Sequence, residues 1–184
     1  ANRAGAHLNV PYLSQAGHEV VLDWFGPANA PRDQRLPVVI FINSFAERSQ
    51  RGHRIYRGWA AVANTHGMVA VLPDGAADFD AGLDALLAHL RAHATEMGID
   101  PDRIGIYAAS SHVMRSLPAV ADPRRSDVRA AAFYYGFSDS ATFRPDLPVL
   151  LMRAGLDRPG MLERQDALLT AALRVNAPVT VIHL

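Results

Sequence analysis

The 184-residue sequence predicts a single α/β domain over 1–184, with a mostly parallel, twisted sheet, an antiparallel start and helices on both faces. Three observations predict it. Short apolar runs of strand length recur along the chain. Amphipathic helical periods fill most gaps between them, and such alternation builds right-handed crossovers between parallel strands. The composition, 49% hydrophobic and 20% charged, is that of a chain that buries a core.

Residues 18–25 (HEVVLDWF) open the sheet, rich in β-branched and aromatic side chains. Residues 36–43 (LPVVIFIN) form a continuous apolar run, as expected for a strand covered on both faces. The same pattern recurs at 68–73, 103–109, 128–135, 148–153 and 178–184. Between these runs, Ile55, Trp59, Val62 and Ala63 share a helix face, with Gly67 at its C-terminal end. Phe79, Leu83, Leu86, Leu87, Leu90 and Met97 form a second face, with Asp78 as N-cap and Gly98 as stop. Pro159 suits a helix N1 position, and Met161, Leu162, Leu168, Leu169 and Leu173 follow as a third face.

Eighteen acidic and eighteen basic residues cancel, which leaves no field for a nucleic acid or an anionic membrane. Every basic residue counted there is arginine, so Schiff-base, Ser–Lys and P-loop chemistry are excluded. Without cysteine there are no disulfides, thiolate nucleophiles or sulfur-ligated zinc sites. No apolar run approaches the roughly 18 residues of a membrane-crossing helix. Ala1–Val10 carries no signal-peptide core. A cytoplasmic location is the default expectation, and nothing in the sequence encodes an oligomeric state.

Parallel sheets place their sites beyond the carboxyl ends of their strands, so the residues that follow each strand matter most. The run 103–109 leads into Ala109-Ser110-Ser111-His112. A strand turning sharply into a helix at a serine is what a nucleophile elbow requires, with small residues two before and two after. Ala108 meets that need; His112 stands where glycine is usual. Taken alone, a serine after a strand is more often just a helix N-cap.

From about Val10 to Leu184 the chain resembles the α/β-hydrolase family, in particular its small cap-less members of the dienelactone-hydrolase and carboxylesterase kind. The resemblance rests on LPVVIFINSF (36–45), GMVAVLPD (67–74), DPDRIGIYAASS (100–111) and PVLLMRAGLDRPG (148–160), in the family's chain order. It implies an α/β-hydrolase fold without a separate cap domain, no cofactor and no metal. It also implies cleavage of a small-molecule ester through an acyl-enzyme. Ser110 matches the nucleophile and Asp157 the acid that orients a histidine, with Asp139 as the backup acid. Asp157 can also serve as a turn residue capping the next helix. The oxyanion hole would take backbone N–H groups of Ser111 and Phe45, where Ser44 replaces a glycine of the family's loop. Ser44 and His112 are the candidate substrate contacts.

The family's catalytic histidine follows the last strand. Here the sequence ends at Leu184, and the histidine nearest that place is His183, which alternation makes a strand residue. The expectation is that the segment carrying the base is missing and the domain is C-terminally incomplete. His112 is the other histidine near the elbow. His53 and His66 flank the first helix. His89 and His93 have i, i+4 metal spacing without a carboxylate companion and read as a solvated pair. Pro118 is expected to shorten the helix after the elbow to about two turns. Asp74 recurs in relatives as a structural residue, and Arg48, Arg51, Arg54 and Arg57 read as a solvated face unless several turn inward to meet an acidic substrate. The second functional reading is a catalytically silent binding module with the same fold. A doubly wound nucleotide or flavin domain finds no G-x-G-x-x-G or P-loop to support it.

Overall fold

The computed structural model describes residues 4–31, 33–42, 49–139 and 142–184. They form two compact units that divide after Ile104.

The first unit carries strands β1 (Gly5–Gln15), β2 (His18–Gly26), β3 (Leu36–Ile42) and β4 (Val69–Pro73), with helices α1 (Arg54–Thr65), α2 (Phe79–Ala92) and α3 (Ala94–Met97). The strand order is β1-β2-β4-β3. β1 and β2 form an antiparallel hairpin, β2 runs antiparallel to β4, and β3 is parallel to β4. β1 was not anticipated. Its register shifts between His7 and Val10 and again between Pro11 and Leu13, and Asn9 adopts φ 55°. These bulges break the period of two on which strand recognition depends. The hairpin turns at Ala16 (φ 50°) and Gly17 (φ 78°), two left-handed residues whose twist suits a two-residue connection.

Of the face expected to point inward, helix α1 buries only Ala63. Tyr56, Ala60 and Ala63 are buried, whereas Ile55, Trp59 and Val62 are exposed, Ile55 to 60%. Two alanines allow closer approach to the strands than a β-branched and indole surface does, so the smaller side chains face inward. His53 caps the start of α1 by accepting from the Ile55 N–H, and His66 ends it before Gly67 (φ 70°). α2 buries Leu83, Leu86, Leu87 and Leu90 as expected, with Asp78 accepting from the Ala81 N–H at 3.1 Å. The helix breaks at His93, whose Nδ1 lies 2.9 Å from the His89 carbonyl, and α3 runs on to Gly98 in the left-handed region. The His89 and His93 rings stack with centroids 4.1 Å apart.

Arg51 does not lie on a solvated face. It binds both Asp23 and Asp74, the latter at 2.8 Å, and its side chain is 14% exposed. Arg57 reaches the other oxygen of Asp23 at 3.2 Å and lies over the Phe25 ring. Asp23 also accepts from the Asn9 N–H at 2.9 Å, and the Tyr12 hydroxyl donates to the Asp74 carbonyl at 2.7 Å. Asp74 is therefore structural, as expected, and the arginines neutralise a carboxylate buried between β1 and the loop before α1.

Strand β5 (Ile99–Ala109) crosses the division, with residues 105–109 in the second unit. It begins four residues before the expected start, because Asp100-Pro101-Asp102 carries turn residues at the entry of the strand. The second unit continues with a 3₁₀ turn (Ser110–His112), α4 (Val113–Ala121), β6 (Val128–Tyr134), β7 (Val149–Arg153), α5 (Pro159–Arg174) and β8 (Val179–His183). The order is β5-β6-β7-β8, and β6, β7 and β8 run parallel.

Pro118 sits inside α4, whose nine residues make a short helix close to the expected two turns. A proline lacks the N–H that would reach the carbonyl four residues earlier. That carbonyl, on Met114, accepts from the Ser138 hydroxyl at 3.4 Å. α5 buries Gln165, Leu168 and Ala172, while Leu173 is exposed, so the expected apolar face is partly displaced. β8 is also not covered on both faces: Val181 and Ile182 are each 39% exposed. Among the described residues no helix is long and apolar enough to cross a membrane.

Candidate active site

The residue that decides the site is Ser110. It closes β5 with φ 57°, in the left-handed region, and it is exposed. Left-handed backbone costs a non-glycine residue roughly 1–2 kcal/mol, so the surroundings must enforce it. The segment after β6 packs closely against this turn. After β6, Tyr135 (φ 40°) and Gly136 turn the chain against the elbow. A Cβ on Gly136 would lie 2.5 Å from the Ser110 carbonyl oxygen and would overlap the Val113 side chain. The close approach that small residues around the serine normally permit is here supplied across the strands by Gly136.

His112 turns away from the exposed serine. It is 8% exposed, and its Nδ1 lies 3.2 Å from the carbonyl of Ala109 at the end of β5. Burial pushes its imidazole below the usual histidine range, partly offset by the Ala109 contact. This is a packing position. Ser111 is exposed in the first turn after Ser110, where helix N–H groups have no partner within the helix. Ser44 and Phe45, expected to contribute a substrate contact and the second oxyanion N–H, lie outside the described residues.

Asp157 stands in the loop that follows β7. Its carboxylate is half-buried, with Oδ1 accepting from the Arg158 N–H at 2.8 Å and Oδ2 from Gln165 Nε2 at 3.3 Å. The N-cap of α5 is Arg158, with Pro159 at the first helical position. Asp157 therefore serves the start of the helix from one position further out than an N-cap. Asp139, after β6, is exposed and lies 3.9 Å from Arg164 Nε. Of the two carboxylates, Asp157 is the one held in a fixed orientation.

His183 ends β8 beside the same loop. Gly155 leaves room for its ring: a Cβ there would overlap His183 Nε2 and lie 2.8 Å from the Leu184 carbonyl oxygen. Arg153 Nη1 donates to His183 Nε2 at 3.1 Å, so a neutral ring carries its proton on Nδ1. Arg153 also forks onto Asp166, at 2.6 and 3.0 Å. The Arg153 guanidinium holds the Asp166 carboxyl below its usual range. Asp157 and His183 thus flank one loop, from strands that are neighbours and parallel, without hydrogen-bonding each other among the described residues. Two strand spacings separate β5 from β7, about 10 Å. A histidine with a hydrogen bond at each ring nitrogen spans a gap of that order.

The missed residues are Gly136 and Gln165. The sequence signal for Gly136 is a glycine directly after Tyr-Tyr at a strand end. For Gln165 it is an amide on the helix face where leucine would continue the apolar period. No residues for a cofactor stand out here, and no group of three or more His, Asp or Glu among the described residues could hold a metal ion.

An exposed serine forced into a left-handed turn between a strand and a helix, in an α/β chain with this strand order, is the arrangement of the α/β hydrolases, and the chain has that fold. An esterase from the planctomycete Thermogutta terrifontis, with propionate bound, superposes with a TM-score of 0.76 at 16% identity, covering 100% of this chain and 84% of that one. Esterase 2 of Thermogutta terrifontis phosphorylated by paraoxon gives 0.78 at 16% identity, over 98% and 82%. A Klebsiella pneumoniae protein described as a dienelactone hydrolase gives 0.72 at 19%, over 97% and 84%. No family model matches the chain, and no curated protein sequence matches it.

Proposed function

We propose that this chain is a serine hydrolase that cleaves a carboxylic ester through an acyl-enzyme intermediate. The observation that carries the reading is Ser110: exposed, at a strand end, in a backbone conformation a serine adopts only at a cost. In this scheme the Ser110 Oγ attacks the ester carbonyl while a histidine accepts its proton. The Ser111 N–H faces the developing oxyanion, with Phe45 as the second donor. Asp157 orients the histidine and stabilises its protonated form. The alcohol leaves with that proton, and water then releases the acid by the same steps in reverse. The esterases of the same fold support the general hydrolase reading; the roles of Ser110 and Asp157 are supported by their geometry here, and that of Phe45 by the family resemblance alone.

The base divides this reading from a second one. His183 is the histidine beside the acid loop, but its Nε2 is occupied by Arg153. That contact favours a module that keeps the fold without turning over substrate. A fluorophosphonate probe separates the two. An adduct located on Ser110 and abolished by Ser110→Ala supports the hydrolase, with Asp157→Asn slowing labelling at least about a hundredfold. A folded chain that takes no label supports the silent module. Loss of labelling in His183→Ala would assign the base.

A further inference from the structure

Helix α5 presents one polar side chain to the interior. Gln165 is 6% exposed and shares its face with the buried Leu168 and Ala172. An amide buried without partners is destabilising. Leucine, which the apolar period calls for, would fill the position without that cost. Gln165 instead uses its oxygen and its nitrogen on one and the same loop. Its Oε1 accepts from the Ala154 N–H at 3.2 Å, at the first residue after β7. Its Nε2 donates to Asp157 Oδ2 at 3.3 Å, three residues further along the same loop. The two ends of one planar amide therefore fix both ends of the segment that carries the proposed acid. The Arg158 N–H holds the other carboxylate oxygen at 2.8 Å. Each oxygen keeps one lone pair for another donor.

We infer that Gln165 is a positioning residue for ester cleavage: it selects the carboxylate orientation in which Asp157 meets the base. The inference rests on the reading of Ser110 and Asp157 given above. Next to Gln165 on α5, Asp166 ties Arg153 at the end of β7, and Arg153 in turn holds His183 at the end of β8. The charged groups facing the loop are thus Arg153, Asp166, Arg158 and His183. None of them replaces the amide at Asp157 Oδ2.

The experiment uses the full chain and measures the rate constant of fluorophosphonate labelling at Ser110 from pH 6 to 9, with kcat and KM on a short-chain nitrophenyl ester. Gln165→Met, similar in length and without donor or acceptor, should slow labelling about tenfold and lower kcat without raising KM. Gln165→Glu keeps the acceptor for Ala154 but sets a second carboxylate against Asp157, and such pairs hold a proton between them. Its acidic limb should move to higher pH, with greater loss at pH 6 than at pH 9. In an Asp157→Asn background, Gln165→Met should add nothing. Leu168→Ala, a purely packing change on the same face, should lower the unfolding midpoint and leave the pH profile in place. Labelling by Gln165→Met at the unmodified rate, or a full tenfold effect persisting in the Asp157→Asn background, overturns the inference while leaving the hydrolase reading intact. Should Gln165→Met not fold, the isosteric Gln165→Glu decides by its acidic limb alone. A folded, unmodified chain that takes no label on Ser110 overturns the hydrolase reading and this inference together.

Discussion

Ser110 and Gly136 are a coupled pair of residues, one strained and one small because of it. Replacing Ser110 with glycine relieves the left-handed backbone, so stability should rise by about 0.5–1 kcal/mol while labelling is lost. Ser110→Ala removes the hydroxyl but keeps the strain, and its stability should stay within about 0.5 kcal/mol of the unmodified chain. Gly136→Ala is the reciprocal test. Its methyl group would lie 2.5 Å from the Ser110 carbonyl oxygen, a backbone atom with little freedom to move. A loss of about 2–4 kcal/mol in urea unfolding is expected. Ser110 and Asp157 were singled out in the sequence through the family resemblance, which falls on two strand ends. Gly136 and Gln165 were not, since their roles come from contacts between strand ends and a helix that no local pattern encodes.

Among the elements, the β1–β2 hairpin and α1 depend on one buried carboxylate. Asp23 is 2% exposed and meets Arg51, Arg57 and the Asn9 N–H. Arg51→Met leaves that charge with reduced compensation and should cost about 3 kcal/mol, read as a lower urea midpoint. Tyr12, on β1, supplies a pH signature. Burial pushes its phenol well above the ordinary value of 10.0, with the nearby Asp74 charge adding to the rise. A group whose pKa is raised by folding contributes stability that is intact below the unfolded value and is lost as pH climbs past it. The unfolding midpoint should therefore fall more steeply above pH 10 in the unmodified chain than in Tyr12→Phe. Strands β3, β4 and β7 were readable because each is a nearly uninterrupted apolar run, whereas β5 was read only from Arg103, past the turn residues at its entry. β1 was hidden by its two bulges. The inward face of α1 was misread, apart from Ala63, because Tyr56 and Ala60 carry less hydrophobic weight than the Ile55, Trp59 and Val62 that the helix leaves outside.

For the molecule as a whole, charge is the simplest handle. Equal numbers of acidic and basic residues place the isoelectric point near 7.3, so solubility should pass through a minimum close to neutral pH and recover on either side. Light scattering across pH 5 to 9 measures this directly. The fold was legible at this scale because it depends on strand order and apolar patterning, which many unrelated sequences satisfy. That is consistent with superposition on esterases at 16% identity. The same tolerance explains why the likeness stops at the fold and the site has to be argued residue by residue.

The proline in α4 has a consequence for how this region opens. By withdrawing an N–H it leaves the Met114 carbonyl to the Ser138 hydroxyl, which joins the helix behind Ser110 to the segment following β6. Gly136 presses on the same elbow from that segment. Amide deuteration should therefore find residues 110–118 and 135–138 behaving as one cooperative unit, exchanging together or staying protected together. Ser138→Ala should separate them, speeding uptake along α4 first.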